Sequence, residues 1–152
     1  MKKLLFVLTI AVAVLQTSCK KKEPTGGGAG TLKFTIGGTS YSYNCSAGAE
    51  AIPLLGTITI TGVGTGSNAN SLNIQMQGLS NGTYNVGATT NDVIMIWNTP
   101  SDTDIFEGGH GTINFTQTGG TATANFSAVL YGLHSDSVVI SGGTYSGGYV
   151  SE

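Results

Sequence analysis

The stretch that decides the fold is Thr112-Ile-Asn-Phe-Thr-Gln-Thr-Gly-Gly-Thr-Ala-Thr-Ala-Asn-Phe-Ser-Ala-Val-Leu130. Ile113 and Phe115 alternate with threonine and asparagine, the chain turns at Gly119-Gly120, and Ala122, Ala124, Phe126, Ala128 and Leu130 then recur at every second position. Successive side chains of a strand point to opposite faces, so this period of two describes strands buried on one face and wetted on the other. The glycine pair fits a hairpin turn needing positive φ at both central positions. A lone hairpin is marginal in water, so further strands must flank it.

They are present on both sides. Leu32, Phe34 and Ile36 alternate with polar residues, and Gly37-Gly38 predicts a tight turn into Thr39–Cys45. Thr57-Ile-Thr-Ile-Thr61 alternates cleanly, Gly62–Asn70 reads as a loop, and Leu72, Ile74 and Met76 follow. Asn81-Gly82 predicts another turn, leading to Tyr84 and Val86. Asp92–Asn98 is apolar on both faces and reads as a central strand; a last strand runs from Ser137 to about Thr144. Nothing after residue 30 has a 3.6-residue apolar period. The expectation is an all-β domain over residues 31–152, an antiparallel β-sandwich of about seven to nine short strands, with a small β-barrel as the alternative.

Charge narrows the function. Only 9% of the 152 residues are charged, and all six basic ones are lysines, the last being Lys33. Every charged residue beyond it is an acid, from Glu50 to Glu152. Phosphate backbones are bound by Lys and Arg, so nucleic acid is excluded as a partner. With 39% hydrophobic residues and a net charge of −2, the chain is not of the disordered class.

The first thirty residues have another character. Met1-Lys2-Lys3 is followed by the apolar run Leu4–Leu15 and then Gln16-Thr17-Ser18-Cys19. That run is too short to span a bilayer, which takes about 20 helical residues, and matches the apolar core of a secretory signal. Leu15-Gln-Thr-Ser-Cys19 resembles a lipobox: Ser18 and Cys19 match, while the apolar residue usual at position 16 stands one place early as Leu15. The resemblance implies that residues 1–18 are a cleaved signal peptide and that Cys19 carries the lipid. Residues 19–30 then form a Gly-rich tether, flexible through Gly26-Gly27-Gly28 and kept from helix by Pro24.

The ending Ser-Cys-Lys-Lys-Lys-Glu, together with Gly111-Thr-Ile-Asn-Phe-Thr116 and Ser137-Val-Val-Ile-Ser-Gly-Gly-Thr-Tyr145, is similar to the small β-rich lipoproteins of unknown function of Bacteroidota. Surface-exported members typically carry acids after the cysteine. Lys20-Lys21-Lys22 departs from that, so the resemblance implies an outer-membrane lipoprotein with acyl (palmitate) chains, on the periplasmic face rather than the cell surface. Two or three acyl chains anchor a protein stably where one does not.

Several residue sets have chemistry to offer. Asp102, Asp104 and Glu107 could offer oxygen ligands to calcium, although the full spacing of a calcium loop is absent. His110 and His134 lack the spacing of a zinc site. Cys45 is the one thiol left once Cys19 is acylated, so no intrachain disulfide is expected; it shares a strand face with Tyr41 and Tyr43 and reads as a small buried residue. Gly62-Val-Gly-Thr-Gly-Ser67 has neither the third glycine nor the following helix of a phosphate loop. The aromatic residues Tyr41, Tyr43, Tyr84, Trp97, Tyr131, Tyr145 and Tyr149 suit a glycan surface; Trp97 is expected in the core, and Tyr145 and Tyr149 are expected exposed. Asp136-Ser137-Val138 resembles an O-glycosylation acceptor, with Ser137 modified. The expectation is a non-enzymatic binding or accessory module of the cell envelope, its partner a glycan or an envelope protein. A structural or assembly role and a hydrolase are the alternatives.

Overall fold

The computed structural model describes residues 30–64, 70–87, 92–99, 105–132, 134 and 136–151, with backbone alone at 45–48. The signal peptide, Cys19, nearly all of the tether, Asp102 and Asp104 lie outside the described residues, as does the Cys45 side chain.

Alternation becomes strand wherever it was seen. The elements are β1 (Gly30–Ile36), β2 (Thr39–Ile52), β3 (Thr57–Val63), β4 (Ser71–Gln77), β5 (Gly82–Gly87), β6 (Val93–Asn98), β7 (Ile105–Thr118), β8 (Thr121–Gly132) and β9 (Ser137–Ser151). They pair in the order β1-β2-β3-β4-β6-β5-β7-β8-β9, and β9 returns to β1, so a single sheet closes into a ring. The fold is all-β, as expected. Within that class the closure corresponds to the barrel alternative, because ladder bonds join each strand to the next all the way round. Two pairings are parallel, which an antiparallel scheme does not contain: β2 with β9 at Ala49–Ala51, and β5 with β6 at Val86 and Val93.

Both parallel contacts have the same cause. A long strand offers one edge to two others in succession. Along β7, residues 110–115 pair with β5 and residues 105–107 with β6. Along β2, residues 39–44 and 47 pair with β1, and residues 49–51 with β9, which runs on past the start of β1.

The ring is apolar inside. Leu32, Ile58, Ile60, Leu72, Ile74, Met76, Met95, Ile113, Leu130 and Ile140 are fully buried, and Phe34, Trp97, Phe115 and Phe126 join them. Outward positions of β7 and β8 are Thr112, Asn114, Thr116, Thr121, Thr123, Asn125 and Ser127, all exposed. An apolar interior with a polar exterior is the reverse of a barrel that faces lipid. The Ala122–Leu130 series faces inward as its period requires. β6 is paired along both edges, but it is buried on one face only: Val93, Met95 and Trp97 point in, while Ile94 is exposed. Its apolar outer face is therefore a surface feature, against the expectation of burial on both sides.

Turn chemistry follows the glycines with one change. Gly37 and Gly38 both have positive φ, 56° and 83°, and close the β1–β2 hairpin with the twist of a type I′ turn. At Gly119-Gly120 only Gly119 is positive, at 59°, which corrects the expectation of two and matches type II′. Asn81 does not turn a hairpin. It lies in a bend, and its amide exchanges two hydrogen bonds with the Gln117 backbone, acting as one more ladder residue ahead of β5.

One buried polar group is out of balance. Thr57 is 2% exposed and its Oγ1 finds no hydrogen-bond partner among the described residues. Thr57→Val keeps the β-branched shape and removes the unpaired hydroxyl, so it is expected to stabilise the fold by about 1 kcal/mol. The check is the urea midpoint followed by fluorescence of Trp97, and a lowered midpoint would show that the hydroxyl is satisfied.

Candidate functional site

The tyrosines divide by strand parity, and parity is reset twice by bulges. In β9, Phe126 of β8 faces Gly143 and Ala128 faces Ile140, so two steps on β8 span three on β9. The β1 side shows the same slip, with Lys33 opposite Thr144 and Thr35 opposite Ser141. Gly142, at φ 59°, accommodates the extra residue as only glycine does readily. The slip turns Gly143 and Tyr145 inward after Ile140. Tyr145 is therefore 1% exposed, and the expectation of an exposed ligand-binding ring there is corrected.

Tyr145 instead holds the seam of the ring. Its hydroxyl donates to the Gly148 carbonyl at 2.6 Å, and its ring lies under Gly30, where a Cβ would come within 2.6 Å of it. Burial pushes its pKa up to about 12, partly offset by a backbone hydrogen bond from Ala49. Burial raises Tyr43 as well, beyond the ordinary tyrosine range, with Tyr41 adding to the shift. Both phenols stay neutral in the folded chain while those of the unfolded chain ionise near the ordinary value of 10.0. Stability from this source is thus intact below pH 10.0 and is lost as pH rises through about 12. The urea midpoint should fall across that window; a level midpoint would mean that the two rings are solvated.

Tyr149, the other ring expected exposed, is half-buried instead, packed against the core with its ring 6.1 Å from that of Phe115. Burial raises its pKa too. Tyr43, Tyr84 and Trp97 are core, as expected of Trp97, and Tyr41 packs partly buried on Phe34 and Trp97 at 5.2 and 4.9 Å. Tyr131 is the exception. It is 52% exposed, the one tyrosine among the described residues with an open ring.

Its surroundings are made by the second bulge. Glu107 faces Tyr131 and His110 faces Val129, so β7 carries one residue more than β8 at Gly108-Gly109, whose φ values are 68° and 85°. Here β5 gives up the β7 edge to β6. The handover leaves a depression of about 420 Å³ lined by Gly87, Val93, Ile94, Glu107, the two bulge glycines and Tyr131. The His110 ring stands 6.4 Å from that of Tyr131, tilted by 51°. A planar ring, an apolar floor, a carboxylate and an imidazole thus meet on an outer wall otherwise rich in threonine, serine and asparagine.

No family model, curated protein or solved structure matches the chain.

The remaining sequence candidates are placed as follows. Glu107 is exposed on β7 and belongs to the Tyr131 depression; its companions in the calcium proposal, Asp102 and Asp104, are outside the described residues. His110 is on β7 and His134 in the β8–β9 connection, and among the described residues no three His, Cys, Asp or Glu come together around a metal position. Ser137 is exposed at the start of β9. It stands opposite Tyr131, and the Gly132 N–H bonded to the Asp136 carbonyl closes the connection ahead of it. Gly62 is a buried strand residue pressed on Leu32 and Tyr43, not part of a loop. A second hollow, of about 380 Å³, lies along Ser40–Asn44 and Val63-Gly64; there the Tyr43 hydroxyl donates to Asn70 at 3.1 Å. Its tyrosines are packed into the aromatic cluster, so it offers a ligand little ring surface.

Tyr131 was legible before the structure. Ala122 to Leu130 face inward at even positions, so residue 131 faces out. The depression was not, because it depends on the bulge and on β5 and β6 sharing one edge.

Proposed function

We propose that this chain is a non-enzymatic binding module of the cell envelope, lipid-anchored at Cys19 on the periplasmic face of the outer membrane, and that it takes neutral carbohydrate at the Tyr131 depression. The single observation behind this is the open Tyr131 ring beside Glu107 over the floor formed by Ile94 and the bulge glycines. An aromatic face packs on the C–H face of a sugar ring, and a carboxylate accepts hydrogen bonds from hydroxyls. Few fixed polar groups in an apolar hollow are the usual makings of a small-molecule site. A neutral ligand suits a domain with no Lys or Arg beyond Lys33. An envelope protein is the second reading, favoured by Val139, which is exposed on β9 beside this face.

The test uses the full chain, purified from membranes in detergent and titrated calorimetrically with envelope oligosaccharides. Tyr131→Ala is expected to weaken binding by about tenfold or more while leaving the melting curve in place, as for an aromatic anchor at an interface. Equal affinity in that variant would remove the depression from the proposal. The anchor is tested separately, by labelling with radioactive fatty acid, which Cys19→Ala should abolish.

A further inference from the structure

The end of the ring at which the chain enters differs from the other end. β1 starts there at Gly30, and three connections close that end: Pro53-Leu54-Leu55-Gly56, Gly78-Leu79-Ser80-Asn81 and Gly119-Gly120. They are adjacent, since the Gly78 N–H bonds to the Gly56 carbonyl and Asn81 bonds to Gln117 beside the glycine turn. None carries a charge. Leu54 is 95% exposed, Leu55 62%, and Leu79 joins them as an exposed apolar side chain. His134 and Asp136 lie at the opposite end, between β8 and β9. β9 also ends here, with Ser151 opposite Ala51, so the acids nearest this end are Glu50, on the outer wall above the turn, and Glu152, which follows Ser151 in the sequence.

Two leucines held in water at the tip of a hairpin serve no packing purpose within this domain, and exposed apolar patches mark contact surfaces. We propose that this tip is a second membrane contact: Leu54 and Leu55 enter the headgroup region of the bilayer to which Cys19 is anchored. The inference rests on the lipid-anchor reading above, and the geometry of the chain selects lipid over other occupants. Gly30 follows Cys19 by eleven residues, and a flexible chain of that length spans about 16–20 Å on average. Gly30 pairs with Ala47, and β2 runs on from there to Ile52, about 16 Å further along the strand. The leucine turn therefore projects beyond Gly30 by a distance like that span, at the end of the ring where β1 begins. With the anchor in the bilayer the tip reaches the surface. Lys20, Lys21 and Lys22 share that approach and favour anionic headgroups. The contact would orient the ring and lift the opposite end, with Ser137 and Tyr131 near it, into solution.

The experiment uses the full lipidated chain with Cys45→Ser, labelled with an environment-sensitive fluorophore at Leu54→Cys or at Thr39→Cys on the opposite end. Each protein is reconstituted into phosphatidylethanolamine–phosphatidylglycerol vesicles containing a nitroxide-bearing phospholipid. Quenching at position 54 is expected to exceed that at position 39 by about twofold or more, as for apolar residues seated at the headgroup boundary. Leu55→Asp should remove the excess without moving the melting curve. Equal quenching at the two positions overturns the proposal. So does a blue-shifted signal at position 54 that lipid nitroxide does not quench, which would mean that protein covers the tip. Mass analysis separates the two readings: an acylated Cys19 with an unquenched tip sinks this inference alone, and an unacylated chain sinks both.

Discussion

Gly109→Ala is expected to destabilise the fold by more than about 4 kcal/mol, enough to leave little folded protein in a domain of ordinary stability. Gly109 has φ 85°, and a Cβ built on it overlaps the Val129 carbonyl oxygen and carbon on β8. No rotamer relieves a clash between Cβ and backbone, so β7 and β8 would have to part. Gly108 supplies the control. Its φ is 68°, yet nothing lies within 4 Å of its Cβ position. Gly108→Ala therefore meets only the left-handed strain of a non-glycine residue, about 1–2 kcal/mol. The neighbouring substitutions share a bulge and the sign of φ and differ in crowding alone. Urea unfolding of both, followed by Trp97 fluorescence, gives the comparison. Similar losses at the two sites would mean that the strands are not packed this closely at the bulge. Because the bulge also shapes the Tyr131 depression, any Gly109→Ala protein recovered at low temperature should lack the carbohydrate binding proposed for it.

The second large effect is expected at Tyr145. Tyr145→Ala removes a ring buried at the seam of β1, β2 and β9, together with its hydrogen bond to Gly148. Large-to-small changes at buried aromatic positions cost about 3–5 kcal/mol. Tyr131→Ala, on an open outer face, should stay within about 0.5 kcal/mol. Tyr145→Phe keeps the ring and leaves the Gly148 carbonyl without this donor, so an intermediate loss of about 1–3 kcal/mol is expected. Stability and binding should thus separate cleanly, with Tyr145 carrying the first and Tyr131 the second. Equal stability of the two alanine variants would return Tyr145 to the surface and undo the reading of the β9 bulge.

These two residues also mark where reading the chain succeeds and where it stops. Alternation over Thr112–Leu130 fixes the faces of β7 and β8 in that region, and all five inward positions from Ala122 to Leu130 are buried. The same alternation carried from Ile140 would place Tyr145 outside. It fails because Gly142 inserts a residue and reverses every face after it. Nothing local separates that glycine pair from the others. Gly37-Gly38 and Gly119-Gly120 close hairpins, whereas Gly108-Gly109 and Gly142-Gly143 lie within continuous strands as bulges.

The all-β class, the central part of each strand, the inward faces between bulges and the absence of basic residues beyond Lys33 were determined by the sequence alone, because each is a matter of local period or composition; the extensions of β2 to Ile52, of β7 back to Ile105 and of β9 to Ser151 were not. Only the tertiary structure decided that the sheet closes into a ring, that some glycine pairs bulge rather than turn, that Tyr145 is core, that a depression forms beside Tyr131, and that Leu54-Leu55 stand beside the entry of the chain. The reason is physical. A positive-φ glycine permits a turn and a bulge equally, and the choice is made by whether a partner strand continues alongside, which depends on residues far away in the chain.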